Sequence, residues 1–213
     1  MAALYAQNLG LESHALGRAA QNLRETCRHK SRLSPLVFMS DPARTGDVTE
    51  AVAGLPKGCA LIYRHFGEGR RAIIARALRQ VTHDNAQQLL IGGGDVELAM
   101  AVKADGVHFK RDAALLGPQK LRDENTDIII TMAGLKQGDY TAPLTCLDGL
   151  FISSIFPSQS PSAGEAIGPS ALKNRCENLN VPIFALGGIT AKTAPQLLGS
   201  GASGLAAIDG FRT

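Results

Sequence analysis

Residues 183–208 read IFALGGITAKTAPQLLGSGASGLAAI, and this stretch carries the pattern that decides the fold. It begins with the apolar run Ile183–Leu186, passes through a glycine-rich turn and the amphipathic segment Ala191–Leu198, and ends with a second apolar run, Gly204–Ile208. Such runs are typical of strands buried on both faces, and strands of this kind that alternate with helices pair in parallel. The stretch therefore predicts one strand–helix–strand unit.

The same unit recurs along the chain from residue 35 onward. Eight apolar runs follow one another: Leu36–Met39, Ala60–Tyr63, Gln88–Ile91, Gly106–Phe109, Asp127–Thr131, Gly149–Ser153, Ile183–Leu186 and Gly204–Ile208. The segments between them suit helices: Val48–Gly54, Arg70–Val81, Asp95–Lys103, Asp112–Arg122, Gly168–Cys176, Ala191–Leu198 and, more weakly, Gly134–Pro143. The pattern predicts a (β/α)8 TIM barrel over residues 35–213 as a single domain. A doubly wound open sheet is the alternative, but the even repeats and the absence of G-x-G-x-x-G after the first strand favour the barrel.

Residues 1–34 precede the repeats and are predicted to form an N-terminal helical extension with a polar connector. A basic cluster ends this segment, formed by Arg24, Arg28, His29, Lys30 and Arg32. We interpret the cluster as the solvated C-terminus of the helix, because the negative end of the helix dipole stabilises cationic side chains there. Binding of a phosphate or of an acidic partner is the alternative interpretation of the cluster.

The composition excludes several classes of protein. The chain has 213 residues, a formal net charge of +3, 5% aromatic residues and no Trp. Its charges are interspersed, so we expect no nucleic-acid partner, and no apolar run approaches the ~18 residues of a membrane helix. The N-terminus lacks the pattern of a signal peptide. The four cysteines form no C-x-x-C pair, which indicates reduced thiols and a cytoplasmic location rather than disulfides or a zinc site.

In a (β/α)8 barrel the active site lies at the carboxyl ends of the strands, so the residues after each apolar run are the candidates. Arg64 follows the second run, and its two-pronged guanidinium suits a phosphate or carboxylate. Arg70 and Arg71 are more typical of a solvated loop and an outer helix. Gly92–Gly94 follow the third run and can present backbone N–H groups to an anion, although a tight turn with Asp95 as helix cap is the favoured interpretation.

A carboxylate or hydroxyl group just before a predicted helix can serve either as the helix cap or as a catalytic or metal-binding group. Ser40 or Asp41 after the first run, and Asp112 after the fourth, are predicted more readily as helix caps than as catalytic groups.

The strongest signal for function lies toward the end of the chain. The loop from Ser153 to Ser162 has five serines and no charge, which indicates a binding loop without an adjacent base. Gly187 and Gly188 would let a phosphate approach the backbone after the seventh strand, where many barrels bind phosphate. Asp209 opposes this interpretation, because it places a negative charge after the eighth strand.

Four segments together resemble the thiamine phosphate synthase and thiazole tautomerase family. They are ADGVH at 104–108, IFPSQS at 155–160, ALGGIT at 185–190 and GASGLA at 201–206. The resemblance spans about residues 35–211. It implies a (β/α)8 barrel that assembles as a homo-oligomer and takes small phosphorylated substrates. It also implies a reaction that joins a pyrimidine diphosphate to a thiazole phosphate with Mg²⁺ and releases pyrophosphate.

The resemblance further implies roles for individual residues. Arg64, Ser158 and Ser160 occupy positions of the family's catalytic and pyrophosphate-binding groups, and Asp112 is the expected ligand of Mg²⁺. The expected substrate-binding residues are Gly93, Gly94, His108, Thr131, Gly187 and Gly188.

This chain departs from the family pattern at several of these positions. Gly93 and Gly94 replace an Asn-Asp pair whose Asp binds the metal, Pro161 replaces a lysine, and Asp209 replaces a serine. Three hypotheses follow: a divergent thiamine phosphate synthase, a catalytically silent barrel that binds a thiazole or other phosphate in a regulatory or partner role, and an enzyme of altered chemistry that uses His65 or His108 as acid–base group.

Overall fold

Eight parallel strands close into a barrel in which neighbours along the chain are neighbours in the sheet. The computed structural model describes residues 2–67, 69–111, 115–134, 144–160 and 163–211, and only the backbone of residues 2–12. The strands are β1 (Leu36–Met39), β2 (Ala60–Tyr63), β3 (Gln88–Gly92), β4 (Gly106–Phe109), β5 (Ile129–Ala133), β6 (Gly149–Ile152), β7 (Ile183–Leu186) and β8 (Gly204–Ala207). The predicted (β/α)8 barrel is confirmed.

The barrel closes through β1, which pairs with both β2 and β8. Val37 lies opposite Ala60 on one side and Ala206 on the other. Every residue of β1, β2, β4, β6 and β8 is buried, because helices cover the outside of the sheet and side chains fill its inside. This burial on both faces accounts for the uninterrupted apolar runs in the sequence.

Alternate residues of each strand enter two separate apolar clusters. The inner cluster fills the barrel and includes Val37, Met39, Ile62, Leu90, Phe151 and Phe184. The rings of Phe151 and Phe184 stack with centroids 5.1 Å apart. The outer cluster lies between sheet and helices and includes Leu61 and Leu89. The barrel is therefore a packed core and not a pore, as in other barrels of eight strands.

Six α-helices surround the sheet in the described residues: α1 (Ala2–Thr26), α2 (Val48–Ala53), α3 (Arg71–Asp84), α4 (Val96–Ala101), α5 (Leu116–Glu124) and α6 (Gly168–Asn178). Between β7 and β8 the predicted helix is reduced to a 3₁₀ turn at Ala194–Leu197, because Gly199 and Gly201, both with positive φ, redirect the chain toward β8. The weaker predicted helix after β5 falls largely on residues 135–143, which lie outside the described residues.

The helix caps follow the predictions only in part. The Asp95 carboxylate accepts a hydrogen bond from the Leu98 N–H at 3.0 Å, so the predicted cap of α4 is confirmed. The prediction that Ser40 or Asp41 caps α2 was wrong. The loop after β1 continues to Asp47, whose carboxylate accepts from the next helix N–H groups. Ser40 and Asp41 are thereby left for contacts at the barrel mouth.

The helix α1 packs against the outside of β8 and β1, where its side chains Leu16, Ala20 and Leu23 are buried. The connector then turns beneath the barrel, held by hydrogen bonds from the Arg24 guanidinium to the carbonyl oxygens of Ser31 and Leu33. Leu33 itself enters the inner cluster. The N-terminal segment therefore covers one side of the barrel and closes the end opposite the candidate site.

A shared carboxylate ties this connector to the barrel. Asp148, just before β6, accepts from Arg32 at 2.8 and 3.0 Å, from Arg122 at 2.5 Å and from the backbone N–H of Ile130 at 2.8 Å. Its side chain is only 13% exposed. Two arginine side chains and one backbone N–H therefore donate to the same largely buried carboxylate.

The four cysteines are free thiols, and burial raises the pKa of Cys59 and Cys176 to about 12. Among the helices of the described residues, none combines the length and the apolar character that crossing a membrane requires.

Replacing Asp148 by Asn is expected to lower the free energy of unfolding by about 2 to 3 kcal/mol, because Arg32 and Arg122 lose their shared counter-charge. Urea titration followed by circular dichroism measures this change. Asp123→Asn on the exposed face of α5 is the matched control, and its effect should stay below about 0.5 kcal/mol. Equal effects of the two substitutions would show that the arginines are satisfied without Asp148.

Candidate active site

The carboxyl ends of the eight strands meet at one edge of the barrel, which we call the mouth. Seven of the predicted site residues lie just beyond these ends: Arg64, Gly93, Gly94, Ser158, Ser160, Gly187 and Gly188. His108 and Thr131 lie within β4 and β5 and are buried. Asp112, the predicted metal ligand, lies outside the described residues. The mouth divides into two regions, one beside β6–β8 and one beside β1–β5.

A pocket of about 300 Å³ opens between the loops that follow β6, β7 and β8. Ser158, Gly187 and Gly188 all line it, so the structure brings these three predicted residues together. Ser160 is adjacent, since its backbone N–H donates to the Ser158 hydroxyl at 3.3 Å. We call this cavity the β7–β8 pocket.

The two glycines of the pocket are required by the backbone. Gly187 and Gly188 have φ of +95° and +64°, a region that favours glycine. A Cβ on Gly188 would lie 2.5 Å from the Pro157 carbonyl oxygen, and one on Gly187 would lie 2.9 Å from the Cα of Ser154. The absence of side chains therefore lets the loop after β6 pack directly on the loop after β7, and it leaves bare backbone facing the pocket.

Arg44 is a member of the pocket that the sequence analysis missed. Its guanidinium donates to Asp209 at 2.8 Å and to Asp41 at 2.9 Å. The hydrogen bond from Arg44 lowers the pKa of the Asp41 carboxyl. Arg44 comes from the loop after β1 and Asp209 from the end of β8, so only barrel closure shows that they meet. The negative charge of Asp209, which opposed a phosphate site in the sequence, thus has a cation beside it.

Arg64 lies in the other region of the mouth, where β1 holds it in place. Its backbone N–H donates to the Ser40 hydroxyl and its Nε to the Ser40 carbonyl oxygen, both at 2.9 Å. One terminal nitrogen lies 3.6 Å from the Asp41 carboxylate. Burial lowers the pKa of Arg64, but a guanidinium keeps its proton at neutral pH. Arg64 is therefore a fixed positive charge at the mouth.

His108 and Thr131 face the barrel interior beneath this charge. The Nδ1 atom of His108 lies 3.0 Å from the Thr131 hydroxyl, and its ring packs edge-on against Phe151. Burial, with a smaller contribution from the charge of Arg64, lowers the pKa of His108 to about 3. At neutral pH the imidazole is therefore uncharged, with one nitrogen protonated and the other able to accept, and it shares a hydrogen bond with the Thr131 hydroxyl.

Gly93 and Gly94 are covered by aromatic rings. A Cβ on Gly93 would lie 2.7 Å from the Phe66 ring, and one on Gly94 would lie 3.0 Å from the Phe109 ring. Both glycines have positive φ, and the Gly94 N–H donates to the carbonyl oxygen of His108 at 3.0 Å. That N–H is therefore engaged within the protein, and the rings account for the glycines by packing.

Arg71 contributes to the same corner, although the sequence suggested a solvated position. Its side chain turns inward, forms an ion pair with Asp95 and donates to the carbonyl oxygen of Gly92 at 2.8 Å. Its guanidinium lies 5.6 Å from the ring centroid of Phe66. Asp95 is thus engaged twice, by Arg71 and by the N-terminus of α4.

Comparison with known proteins gives one consistent family. A family model described as thiamine monophosphate synthase matches residues 37–211. The thiamine-phosphate synthase of Synechococcus sp. (strain WH7803) is 28% identical over 225 residues, covering 97% of this chain and 62% of the relative. That of Streptococcus suis (strain 98HAH33) is 32% identical over 141 residues, covering 65% and 60%. The chain thus spans about three fifths of the length of these curated relatives.

Among solved structures, a thiamine phosphate pyrophosphorylase from Pyrococcus furiosus superposes with a TM-score of 0.63 at 24% identity. The superposition covers 83% of this chain and 86% of that one. At this identity the likeness shows a shared fold.

The buried, uncharged state of His108 predicts a pH dependence of stability. Its pKa is lower in the folded protein than in the unfolded chain, so below about pH 6.5 the unfolded state binds a proton that the folded state does not. The resulting stabilisation is complete above that pH and is lost as the pH falls toward about 3. Between pH 7 and pH 5, His108 alone should lower the free energy of unfolding by about 2 kcal/mol.

Urea unfolding at pH 7 and pH 5 compares the His108→Gln variant with wild type. Between these pH values the variant should lose about 2 kcal/mol less of its free energy of unfolding than wild type does. His83→Gln, at an exposed position on α3, is the control and should leave the loss unchanged. An unchanged pH dependence in His108→Gln would contradict a neutral, buried His108.

Proposed function

This chain belongs to the thiamine monophosphate synthase family, and we propose that it acts in thiamine biosynthesis as a synthase that holds a phosphorylated thiazole in the β7–β8 pocket. The observation that carries this proposal is the pocket itself, in which Gly187, Gly188 and Ser158 converge. In the proposed reaction the thiazole phosphate joins a pyrimidine diphosphate and pyrophosphate leaves, as the sequence motifs suggested.

The β7–β8 pocket has the groups that a phosphate monoester requires. Bare backbone at the two glycines permits close approach, and the hydroxyl of Ser158 can donate a hydrogen bond. Arg44 supplies the cation from the loop after β1. Its guanidinium already serves Asp41 and Asp209, so a bound phosphate competes with two carboxylates for it. Asp209 accordingly limits the affinity of the pocket for a dianion.

Arg64, which shares the Asp41 carboxylate with Arg44, is proposed to serve the diphosphate substrate beside the β7–β8 pocket. Two hydrogen bonds to Ser40 hold its backbone and its Nε, so little conformational freedom is lost when it binds an anion. Ser160 is proposed to supply a further hydroxyl group from the loop after β6, and the buried Thr131 hydroxyl lies 3.0 Å from neutral His108. These roles position anions and require no proton transfer from the histidine.

The described residues do not fit the Mg²⁺ ion that the family resemblance implies. Of the two expected ligand positions, one is glycine at 94, covered by Phe109, and the other, Asp112, lies outside the described residues. The carboxylate of Asp95, next to Gly94, is held by Arg71. Within the described parts of the chain, no group of three or more His, Cys, Asp or Glu side chains could hold a metal ion. Hard divalent cations need several oxygen ligands, usually with carboxylates among them.

This mismatch favours a second candidate function, a barrel that binds a phosphorylated thiazole without turning it over. Losing a group that stabilises the charge of the departing pyrophosphate raises the activation barrier, by about 3 kcal/mol for one hydrogen-bond donor. The third hypothesis, acid–base chemistry by a histidine, is disfavoured. Burial lowers the pKa of His108 to about 3, which makes it a weak base, and His65 lines a separate pocket of about 360 Å³ beside α3.

Incubation of the purified protein with pyrimidine diphosphate, thiazole phosphate and Mg²⁺ is expected to form thiamine phosphate and pyrophosphate in equal amounts. Chromatography of thiamine phosphate and a coupled pyrophosphate assay measure both products. Ser158→Ala should lower the rate about tenfold or more through one lost hydrogen bond to a charged group. Folded protein that binds the thiazole phosphate but forms no product would establish the second candidate instead.

The charges of the β7–β8 pocket predict opposite effects of two substitutions on binding of thiazole phosphate. Asp209→Asn removes a repelling carboxylate and should tighten binding severalfold, whereas Arg44→Met removes the cation and should weaken it about tenfold. Isothermal titration calorimetry without metal measures both effects. Arg76→Met on the exposed face of α3 is the matched control. If both variants bind as wild type does, the phosphate does not occupy this pocket.

A further inference from the structure

A cluster of cations and one aromatic ring occupies the corner of the mouth between the loops after β2, β3 and β4. The Nζ atom of Lys110 lies 4.9 Å from the ring centroid of Phe66, and the guanidinium of Arg71 lies 5.6 Å from the same centroid. The Phe66 side chain is 45% exposed although it is large and apolar. We call this group the Phe66 corner.

The two cations of the Phe66 corner differ in how far they are neutralised. Arg71 forms an ion pair with Asp95 and also binds the Gly92 carbonyl oxygen. Lys110, by contrast, has no carboxylate within ion-pair distance among the residues that the structure describes. Its charge is held in place by the ring and is available to an anion.

The Phe66 ring packs against the backbone of the loop that follows β3. Gly93 has φ of +87°, and a Cβ there would lie 2.7 Å from a carbon of Phe66. Any side chain at position 93 would displace the ring and, with it, the platform beneath Lys110. The glycine at 93, the phenylalanine at 66 and the lysine at 110 therefore form one structural unit.

This unit stands where the family resemblance leads one to expect an oxygen-rich metal site. A metal ion would need several carboxylate or other oxygen ligands in this corner. Its described residues supply two cations, an aromatic ring and one carboxylate, Asp95, which is paired with Arg71. A lysine ammonium offers a compact positive charge that pairs directly with phosphate oxygens.

We propose that Lys110, seated on Phe66, binds the diphosphate group of the second substrate directly, so that diphosphate binding needs no divalent metal. The inference rests on the proposed function in taking a diphosphate as substrate, but it concerns a different part of the mouth from the β7–β8 pocket. Lys110 supplies the charge that a metal would otherwise supply, and Arg64, held by Ser40 after β1, is a second fixed cation of the mouth.

The test uses inorganic pyrophosphate as probe and titration calorimetry as readout, with the full chain in buffer containing either EDTA or Mg²⁺. Wild-type protein should bind pyrophosphate in EDTA at least as tightly as in Mg²⁺, because the metal competes with Lys110 for the anion. Lys110→Met should weaken binding about tenfold, equivalent to about 1.4 kcal/mol. Phe66→Leu should weaken pyrophosphate binding by a smaller factor, because Lys110 loses the aromatic ring that holds it in place.

Lys57→Met, an exposed lysine between α2 and β2, is the matched control and should leave pyrophosphate binding unchanged. Lys110 is exposed, and thermal melts establish that its variant remains folded. A requirement for Mg²⁺, absence of pyrophosphate binding, or unchanged binding by Lys110→Met would each overturn the inference. Binding of thiazole phosphate in the β7–β8 pocket reports on the proposed function separately, so the two failures are distinguishable.

Discussion

The pairing of β8 with β1 is the constraint on which the rest of the structure depends. Leu36 lies beside Leu205, and this contact turns eight parallel strands into a closed barrel with no free edge. Closure places the loop after β1 next to the loop after β8. Arg44 and Asp209, which are 165 residues apart in sequence, meet there at 2.8 Å. The charge of the β7–β8 pocket is therefore a consequence of closure.

The two ends of the barrel use charge in different ways. At the closed end the Asp148 carboxylate is saturated by Arg32, Arg122 and a backbone N–H, so its charges serve stability. At the mouth Arg44 and Arg71 are paired with carboxylates, whereas Arg64 lies 3.6 Å from Asp41 and Lys110 lies over the Phe66 ring. This division follows the general separation in such barrels between a stabilising end and a functional end.

Between these ends, the interior keeps its polar groups few and paired. His108 is buried beside Thr131 and Phe151, and the low polarity of that environment keeps the imidazole neutral. A neutral histidine at this depth suits hydrogen bonding more than acid–base work.

In the Phe66 corner, packing explains the need for glycine at position 93. Glycine at 93 is what permits the phenylalanine ring to lie on the backbone, and the ring in turn carries Lys110. The positions of Gly93, Phe66 and Lys110 are therefore coupled through contacts. The β7–β8 pocket, in contrast, retains the paired glycines whose positive φ and close packing any barrel with this loop arrangement needs.

The sequence by itself determined the fold and the location of the mouth, because burial on both faces makes each parallel strand a continuous apolar run and the pattern repeats eight times. It also determined the glycine loop at 187–188 and the cap at Asp95, which depend on local backbone geometry. Only the tertiary structure decided that Arg44 faces Asp209, that Phe66 covers Gly93 and that Arg71 turns inward to Asp95. Each of these contacts joins loops from different strands, and sequence periodicity holds no information about which side chains meet once the barrel has closed.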